Sequence, residues 1–289
     1  MTIREYRLDE LSDRQKVDWS SSAFLYRGRL PNYSLPVIVK IYRHKRTPEY
    51  FARLRELHDV LTRRGSLSTV RTQLSHDFVK SRIAFPIGLM MAENEPVGYA
   101  MRDFSLDGNI TINLTNGNSE LVPSTLDHFV DQEDSQISKG IRPLTTDERL
   151  QIFRDLTTTI SLLHEGNIIV NDLSFRNVIF ARKPKARNNH VRACLLDADS
   201  FQIIRSSGEI EQPEDTHGFR VGNNTNGYER DFRKLCRLGL RLLERQSSGS
   251  RDREKMRNVV PESVANILDS GVDLLNKPPS IWQLLDALN

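Results

Sequence analysis

The sequence predicts an α+β protein, and three observations support this fold class. Apolar residues alternate in two pairs of short segments, which is the pattern of β-hairpins; the segments are 23–30, 35–43, 85–91 and 96–101. Further along the chain, apolar residues recur at helical spacing over 145–164 and 229–245. Between these two predicted helices, runs of branched apolar residues predict short buried strands at 168–170, 178–180 and 193–196.

The composition argues against a nucleic-acid-binding protein, a disulfide-rich or zinc-binding protein, and a membrane-spanning protein. The chain has 289 residues, enough for one large or two small domains, and its net charge is +3 from 41 basic and 38 acidic residues. This near balance does not predict nucleic-acid binding. Cys194 and Cys236 are too few for a disulfide framework or a zinc site, and no apolar run approaches the roughly 20 residues of a membrane span. We therefore expect a cytoplasmic protein with neither a membrane nor a nucleic acid as partner.

The N-terminal elements follow from short sequence signals. Residues 1–17 form a polar lead-in, after which the first hairpin turns at 31–33. Residues 47–64 predict a helix whose apolar stripe is Tyr50, Leu54, Leu57 and Leu61. The second hairpin turns at 92–95.

The C-terminal half begins with a polar segment. Residues 105–142 show no sustained periodicity and predict an insertion or a mobile segment. Thr145 and Glu148 then form a capping-box pattern at the start of the 145–164 helix. The segment 182–187 predicts a solvated basic loop, 205–228 lacks apolar periodicity, and two final helices are predicted around 254–269 and 280–288.

Polar groups stand at the ends of the buried strands, where a carboxylate or carboxamide is costly without a partner. Asp172 and Asn177 are five residues apart across a tight loop, and Asp197 follows the next strand. A single hairpin can bring the three together. Their oxygen atoms suit a magnesium ion, because hard divalent cations prefer oxygen ligands. Mg²⁺ usually takes only one or two ligands from the protein, and the phosphates of a nucleotide and water molecules supply the rest. Lys40 is a further candidate, since a lysine inside the apolar strand PVIVKIYR needs an anionic partner.

These motifs resemble the protein-kinase fold, and LLDADSFQI resembles the bacterial YegI-like group of Ser/Thr kinases. The resemblance implies a two-lobed fold: an N-lobe over 1–103 with a small antiparallel sheet and one helix, and a mainly helical C-lobe over 104–289. It also implies that ATP and Mg²⁺ are bound. In that fold Asp172 is the catalytic base, Asn177 and Asp197 are the metal ligands, and Lys40 holds the α- and β-phosphates.

The resemblance implies further nucleotide contacts. A Glu on the 47–64 helix should pair with Lys40, and Glu56 is the nearest by spacing. Ser21 and Ser22 lie where kinases have a phosphate-binding loop, and the backbone of Met101 and Asp103 lies where the hinge between the lobes binds adenine. Outside the nucleotide site, Asp231 resembles the helix aspartate that caps the catalytic loop.

The chain also departs from the kinase pattern, and these departures keep alternatives open. The predicted phosphate loop, 18–26, contains no glycine, Asn171 replaces the usual Arg before the catalytic Asp, and Asp199 stands where Gly is usual. The leading hypothesis is phosphoryl transfer from ATP to a Ser or Thr hydroxyl of a protein whose identity the sequence does not give. The alternatives are a pseudokinase that binds a nucleotide or a partner protein, a small-molecule kinase of the aminoglycoside or choline type, and an unrelated α/β protein whose buried strands end in polar residues.

Overall fold

A computed structural model describes ten stretches of the chain: residues 3–17, 22–62, 81–105, 107–130, 133–182, 191–204, 227–244, 256, 258–273 and 277–289. The chain forms two compact units. The first unit comprises Met1–Phe104 with Leu196–Asp199, and the second comprises Ser105–Leu195 with Ser200–Asn289. No helix within the described stretches is both long enough and apolar enough to span a membrane.

The first unit contains a six-stranded sheet. Its strands are β1 (Arg4–Arg7), β2 (Ser12–Val17), β3 (Ala23–Arg29), β4 (Val37–Tyr42), β5 (Pro86–Ala92) and β6 (Glu95–Arg102). The spatial order is β1-β5-β6-β4-β3-β2, which confirms both predicted hairpins. The sheet is mixed and not antiparallel as predicted, because β1 runs parallel to β5.

The polar lead-in contains two strands that the sequence analysis did not predict. β1 and β2 lie at the two edges of the sheet, and most of their side chains are exposed. An edge strand is held by backbone hydrogen bonds to one neighbour, so its side chains can be polar on both faces. The polar sequence therefore reports exposure and does not report a lack of regular structure.

Helix α1 (Pro48–Thr62) belongs to the first unit and confirms the predicted helix up to residue 62, where the described stretch ends. It buries Phe51, Leu54, Leu57 and Leu61.

On the sheet, side chains of neighbouring residues in a strand alternate between the two faces. Val37 and Val39 of β4 belong to a core cluster with Met90 and Ala100, whereas Lys40 and Tyr42 point to the opposite face.

The second unit combines helices with short strand pairs. The helices whose bounds the described residues give are α2 (Glu133–Ser138), α3 (Thr146–Glu165), α4 (Gly227–Glu244), α5 (Glu262–Val272) and α6 (Ile281–Leu288). Its strands are β7 (Asn109–Asn113), β8 (Ser119–Pro123), β9 (Ile168–Ile169), β10 (Val178–Arg182), β11 (Val191–Leu195) and β12 (Gln202–Ile203). They form three antiparallel pairs, β7 with β8, β9 with β12 and β10 with β11.

Helix α3 begins as the sequence predicts. The Thr145 hydroxyl accepts a hydrogen bond from the Glu148 N–H, and the Glu148 carboxylate accepts one from the Thr145 N–H. This capping box satisfies backbone donors that a helix start leaves without partners. Helix α4 approaches α3 closely at Gly239, where a Cβ atom would lie 2.6 Å from the ring of Phe153.

Two segments of the second unit differ from the prediction. Residues 105–142 contain the β7–β8 hairpin and α2; the two strands are only five residues long each and no residue in them is fully buried, so no sustained apolar pattern marks them in the sequence. The helix predicted around 254–269 is interrupted, because Met256 is helical, residues 258–260 form a turn, and α5 begins at Glu262 directly after Pro261, which disfavours the helical conformation for the residue before it; residues 254, 255 and 257 lie outside the described residues. Of the predicted basic loop only Arg182 is described, and of the segment 205–228 only the last two residues; the remainder of both predictions lies outside the described residues.

Candidate functional site

Lys40 is the centre of a buried polar cluster in the first unit. Its ammonium Nζ lies 2.5 and 2.7 Å from the two carboxylate oxygens of Asp197 and 3.0 Å from Oδ2 of Asp199. Tyr99 is directly opposite Lys40 in the β4–β6 register and donates its hydroxyl to Asp197 at 2.9 Å. The side chain of Lys40 is only 7% exposed, so its charge is compensated by these carboxylates and not by water.

Two further tyrosines bind Asp199. The hydroxyls of Tyr42 and Tyr50 donate to Asp199 Oδ2 at 2.6 and 2.8 Å, and the two hydroxyls also contact each other. Tyr42 follows Lys40 by two residues on the same face of β4, whereas Tyr50 belongs to α1. We call Lys40, Tyr42, Tyr50, Tyr99, Asp197 and Asp199 the Lys40 cluster.

The charges in the Lys40 cluster shift one another's pKa values. Burial lowers the pKa of Lys40, but the charges of Asp197 and Asp199 outweigh burial and raise it above its ordinary value. Burial and the charge of Asp199 raise the pKa of Asp197. For Asp199 the effect of burial is outweighed by Lys40 and by the hydroxyls of Tyr42 and Tyr50, which hold its pKa below its ordinary value. Lys40 is therefore protonated and Asp199 ionised at neutral pH.

Glu56 is not the partner of Lys40. The residue lies in α1, but among the described residues the hydrogen-bond partners of Lys40 Nζ are Asp197 and Asp199. Helical spacing explains the difference. Leu54, Leu57 and Leu61 turn one face of α1 to the core, and Glu56 falls on the opposite side of the helix.

The other residues predicted to contact the nucleotide are Ser21, Ser22, Met101 and Asp103, and the last three differ in burial and in hydrogen bonding. Ser21 lies outside the described residues, and the Ser22 carbonyl accepts a hydrogen bond from the Arg43 N–H at 3.2 Å. Met101 is a buried residue of β6. Asp103 is buried, its N–H donates to the Pro36 carbonyl at 3.0 Å, and its carboxylate binds Arg27 at 2.6 Å. That N–H has an acceptor within the first unit, and adenine binding by the backbone of Met101 and Asp103 stays a prediction.

The second unit holds the other two predicted site residues. The Asn177 carboxamide Nδ2 donates to the Asp172 carboxylate at 2.8 Å and to the Asp172 carbonyl at 2.9 Å. The two residues lie between β9 and β10, where a short 3-10 turn, Phe175–Asn177, brings residue 177 back towards residue 172. The predicted proximity of Asp172 and Asn177 is thus confirmed. Asp197 belongs to the first unit, and its convergence with them stays a prediction.

Helix α4 fixes the backbone before Asp172. The carboxylate of Asp231 accepts the N–H groups of Val170 at 2.6 Å and of Asn171 at 2.8 Å, as predicted for a residue that caps this loop. One turn further along α4, the ammonium of Lys234 donates to the Asn171 carbonyl at 2.5 Å. Asn171 has φ +62°, a left-handed conformation that Asn tolerates better than most residues.

His164 and Ser200 add two contacts to the same loop. His164 Nε2 lies 3.0 Å from the carboxylate of Asp231, and the Ser200 hydroxyl donates to the Val170 carbonyl at 2.8 Å. The Asn171 carboxamide donates to the Ser200 carbonyl at 3.0 Å. The loop that carries Asp172 is therefore fixed by side chains of α3, α4 and the segment after β11.

The oxygen atoms of the predicted metal ligands suit a hard cation. Asn177 uses its amide nitrogen to bind Asp172, and no donor among the described residues contacts its oxygen. The Asp197 side chain is 33% exposed, so a cation can reach it. No group of three or more His, Cys, Asp or Glu side chains suited to a metal occurs within the described residues, but Mg²⁺ with a nucleotide needs only one or two ligands from the protein.

Comparison of the chain with protein-family models and with curated proteins finds no match. Each cluster must therefore be interpreted from its own chemistry. The first unit holds a buried ammonium beside a partly exposed carboxylate, and the second unit holds a half-buried carboxylate on a fixed loop.

The polar residues of these clusters that sequence reasoning missed include Tyr42, Tyr50, Tyr99 and Lys234. The signal for Lys234 was present, because it lies three residues after Asp231 on a helix that is otherwise largely apolar on its buried face. The tyrosines gave no such signal, since an aromatic residue in a strand or on an apolar stripe is equally compatible with a core position.

Proposed function

We propose that this protein transfers the γ-phosphoryl group of ATP to a Ser or Thr hydroxyl of a protein, with Mg²⁺ as the metal, in a two-lobed kinase-like fold. The observation that carries the proposal is the Asp172–Asn177 pair on a loop whose backbone is fixed by Asp231. Such a loop presents a carboxylate in a defined position, which a general base requires. Lys40 beside Asp197 gives independent support, because kinases use a strand lysine and a metal-binding aspartate.

In the proposed reaction the acceptor hydroxyl oxygen forms a bond to the γ-phosphorus. The bond between this phosphorus and the β–γ bridging oxygen breaks, and ADP leaves with the electron pair. Asp172 accepts the proton of the hydroxyl. Bound Mg²⁺ would neutralise part of the phosphate charge, and the oxygens of Asp197 and Asn177 are the protein groups that would hold it.

Replacement of Asp172 by Asn tests the proposal. The carboxamide keeps the size of the side chain but cannot accept the proton, so phosphoryl transfer should fall by roughly 10²- to 10⁴-fold. Binding of Mg·ATP should change little, because the base contacts the acceptor and not the nucleotide. Autophosphorylation measured by mass spectrometry supplies the rate without a known substrate, and Asp286→Asn, at an exposed position of α6, is the matched control. Equal transfer by wild type and Asp172→Asn would refute the proposed base.

A second candidate is a pseudokinase that binds nucleotide or a partner protein without catalysis. The observation in its favour is that two carboxylates already bind Lys40, so the lysine has its counter-ions without a phosphate. Wild type that binds nucleotide but transfers no phosphate to itself, to a generic protein or to an aminoglycoside would favour this candidate. Transfer to the aminoglycoside alone would favour a small-molecule kinase.

A further inference from the structure

Asp199 occupies an unusual position in the Lys40 cluster. A single oxygen, Oδ2, receives Lys40 Nζ at 3.0 Å and the hydroxyls of Tyr42 and Tyr50 at 2.6 and 2.8 Å. The backbone carbonyl of Asp199 accepts a hydrogen bond from Arg53 at 3.0 Å. The side chain is 15% exposed, so these donors, and not water, compensate its charge.

We propose that Asp199 is the positioning residue of the nucleotide site, holding Lys40 in place and linking it to α1, the role that the sequence predicted for Glu56. This inference rests on the proposed phosphotransferase function. It assigns a role to a carboxylate for which the family resemblance offered none.

The contacts of α1 support this role. Tyr50 and Arg53 are three residues apart and therefore lie on the same side of the helix, and both bind Asp199. The connection from β4 to α1 thus runs from Lys40 through Asp199 to Tyr50. The rings of Tyr42 and Tyr50 also pack edge to face, with centroids 5.3 Å apart, which fixes the two hydroxyls that donate to Asp199.

The charge balance explains why two carboxylates face one ammonium. Lys40 makes its two shorter contacts with Asp197, the proposed metal ligand. A cation held by Asp197 would compete with Lys40 for these carboxylate oxygens, and an ammonium that is 7% exposed would be costly without a counter-ion. Asp199 remains as its counter-ion, because Tyr42 and Tyr50 hold that carboxylate independently of Asp197.

The consequence is a specific dependence of nucleotide binding on Mg²⁺. Without Asp199, Asp197 is the last counter-ion of Lys40, so a cation on Asp197 would compete with the lysine and metal-assisted binding is weakened. Binding of metal-free nucleotide depends on Lys40 itself and is affected less. A role in folding alone would weaken both kinds of binding together.

The experiment measures the Kd of ADP for the full chain by calorimetry, once with Mg²⁺ and once with EDTA. The Kd in EDTA divided by the Kd in Mg²⁺ is the Mg²⁺ advantage, and this ratio is compared between variants. Asp199→Asn should reduce the advantage that Mg²⁺ gives by roughly tenfold or more, since it removes a hydrogen bond between charged groups. Tyr50→Phe should reduce it by about two- to tenfold, since it removes one hydroxyl donor and keeps the ring. Tyr33→Phe removes a half-buried hydroxyl of the same unit outside the cluster and should leave the ratio unchanged.

Glu56→Gln provides the comparison between the two candidate residues. The inference requires that Asp199→Asn reduces the Mg²⁺ advantage more than Glu56→Gln does; the reverse order overturns it. Should Asp199→Asn fail to fold, Tyr50→Phe decides, and a ratio equal to that of Tyr33→Phe overturns the inference. Wild type that binds no nucleotide in either condition overturns the proposed function together with this role, whereas an Mg²⁺ advantage that Asp199→Asn retains overturns this role alone.

Discussion

Replacement of Asp231 by Asn should destabilise the protein, because this carboxylate fixes the loop before Asp172 from a fully buried position. Its side chain has 0% exposure and accepts the N–H groups of Val170 and Asn171. A hydrogen bond to a charged group contributes about 1.5–3 kcal/mol, and a buried N–H without an acceptor costs about 1–3 kcal/mol. Asn offers one oxygen to the two N–H groups, so one of them loses its acceptor and the other keeps only a neutral one.

The expected loss in the free energy of unfolding is therefore about 2–4 kcal/mol, a large fraction of the roughly 5–15 kcal/mol typical of a folded protein. Urea unfolding followed by circular dichroism measures this free energy. The slope of the free energy against urea concentration should be the same for wild type and variant, which shows that both unfold between equivalent states. Asp286→Asn, at an exposed position of α6, should change the free energy by less than about 0.5 kcal/mol. If Asp231→Asn behaves like this control, Asp231 does not hold the loop.

Three further predictions concern the first unit. Lys40→Met should lower the free energy of unfolding by roughly 2–4 kcal/mol in the absence of nucleotide, because Asp197 and Asp199 lose their shared cation. The expected loss is smaller than for a fully buried ion pair, since Asp197 is partly exposed. A melting temperature equal to that of wild type would contradict it. Mg·ATP should stabilise the folded protein by about 2.7 kcal/mol at a hundredfold excess over Kd, and its melting temperature should rise accordingly. Asp197→Asn should remove most of the Mg²⁺-dependent part of this rise. An identical rise with and without Mg²⁺ would argue against Asp197 as a ligand. Burial lowers the pKa of His58, so the unfolded state takes up a proton more readily and stability should fall as the pH drops below the ordinary histidine pKa of about 6.5. His58→Gln should show a smaller fall in melting temperature over that range, and an equal fall would exclude His58 as the cause.

The sequence determined those features that depend on neighbouring residues. The start of α3 is an example, since the capping box joins Thr145 and Glu148, three residues apart. The Asp172–Asn177 pair is another, because a five-residue loop with a short turn leaves the two side chains little freedom to separate. In both cases the groups that interact are held close by the chain itself, so the pattern of residue types contains the information.

The sequence was less informative where the pairing is between distant parts of the backbone. β1 pairs with β5, more than 80 positions later in the chain, through main-chain groups that every residue type shares. The polar side chains of β1 and β2 reflect their place at the edges of the sheet, and no local signal distinguishes such a strand from an irregular segment.

The tertiary structure alone decided which carboxylates face Lys40. Asp199 is 159 residues from Lys40 along the chain, and Glu56 is only 16 residues away, yet Asp199 binds the ammonium. Helical spacing turns Glu56 away from the core, and the end of β11 brings Asp197 and Asp199 to the first unit. The charge of Lys40 required an anion, which the sequence showed; which anion it received depended on the packing of segments far apart in the chain, because electrostatic attraction acts between whatever groups the fold places in contact.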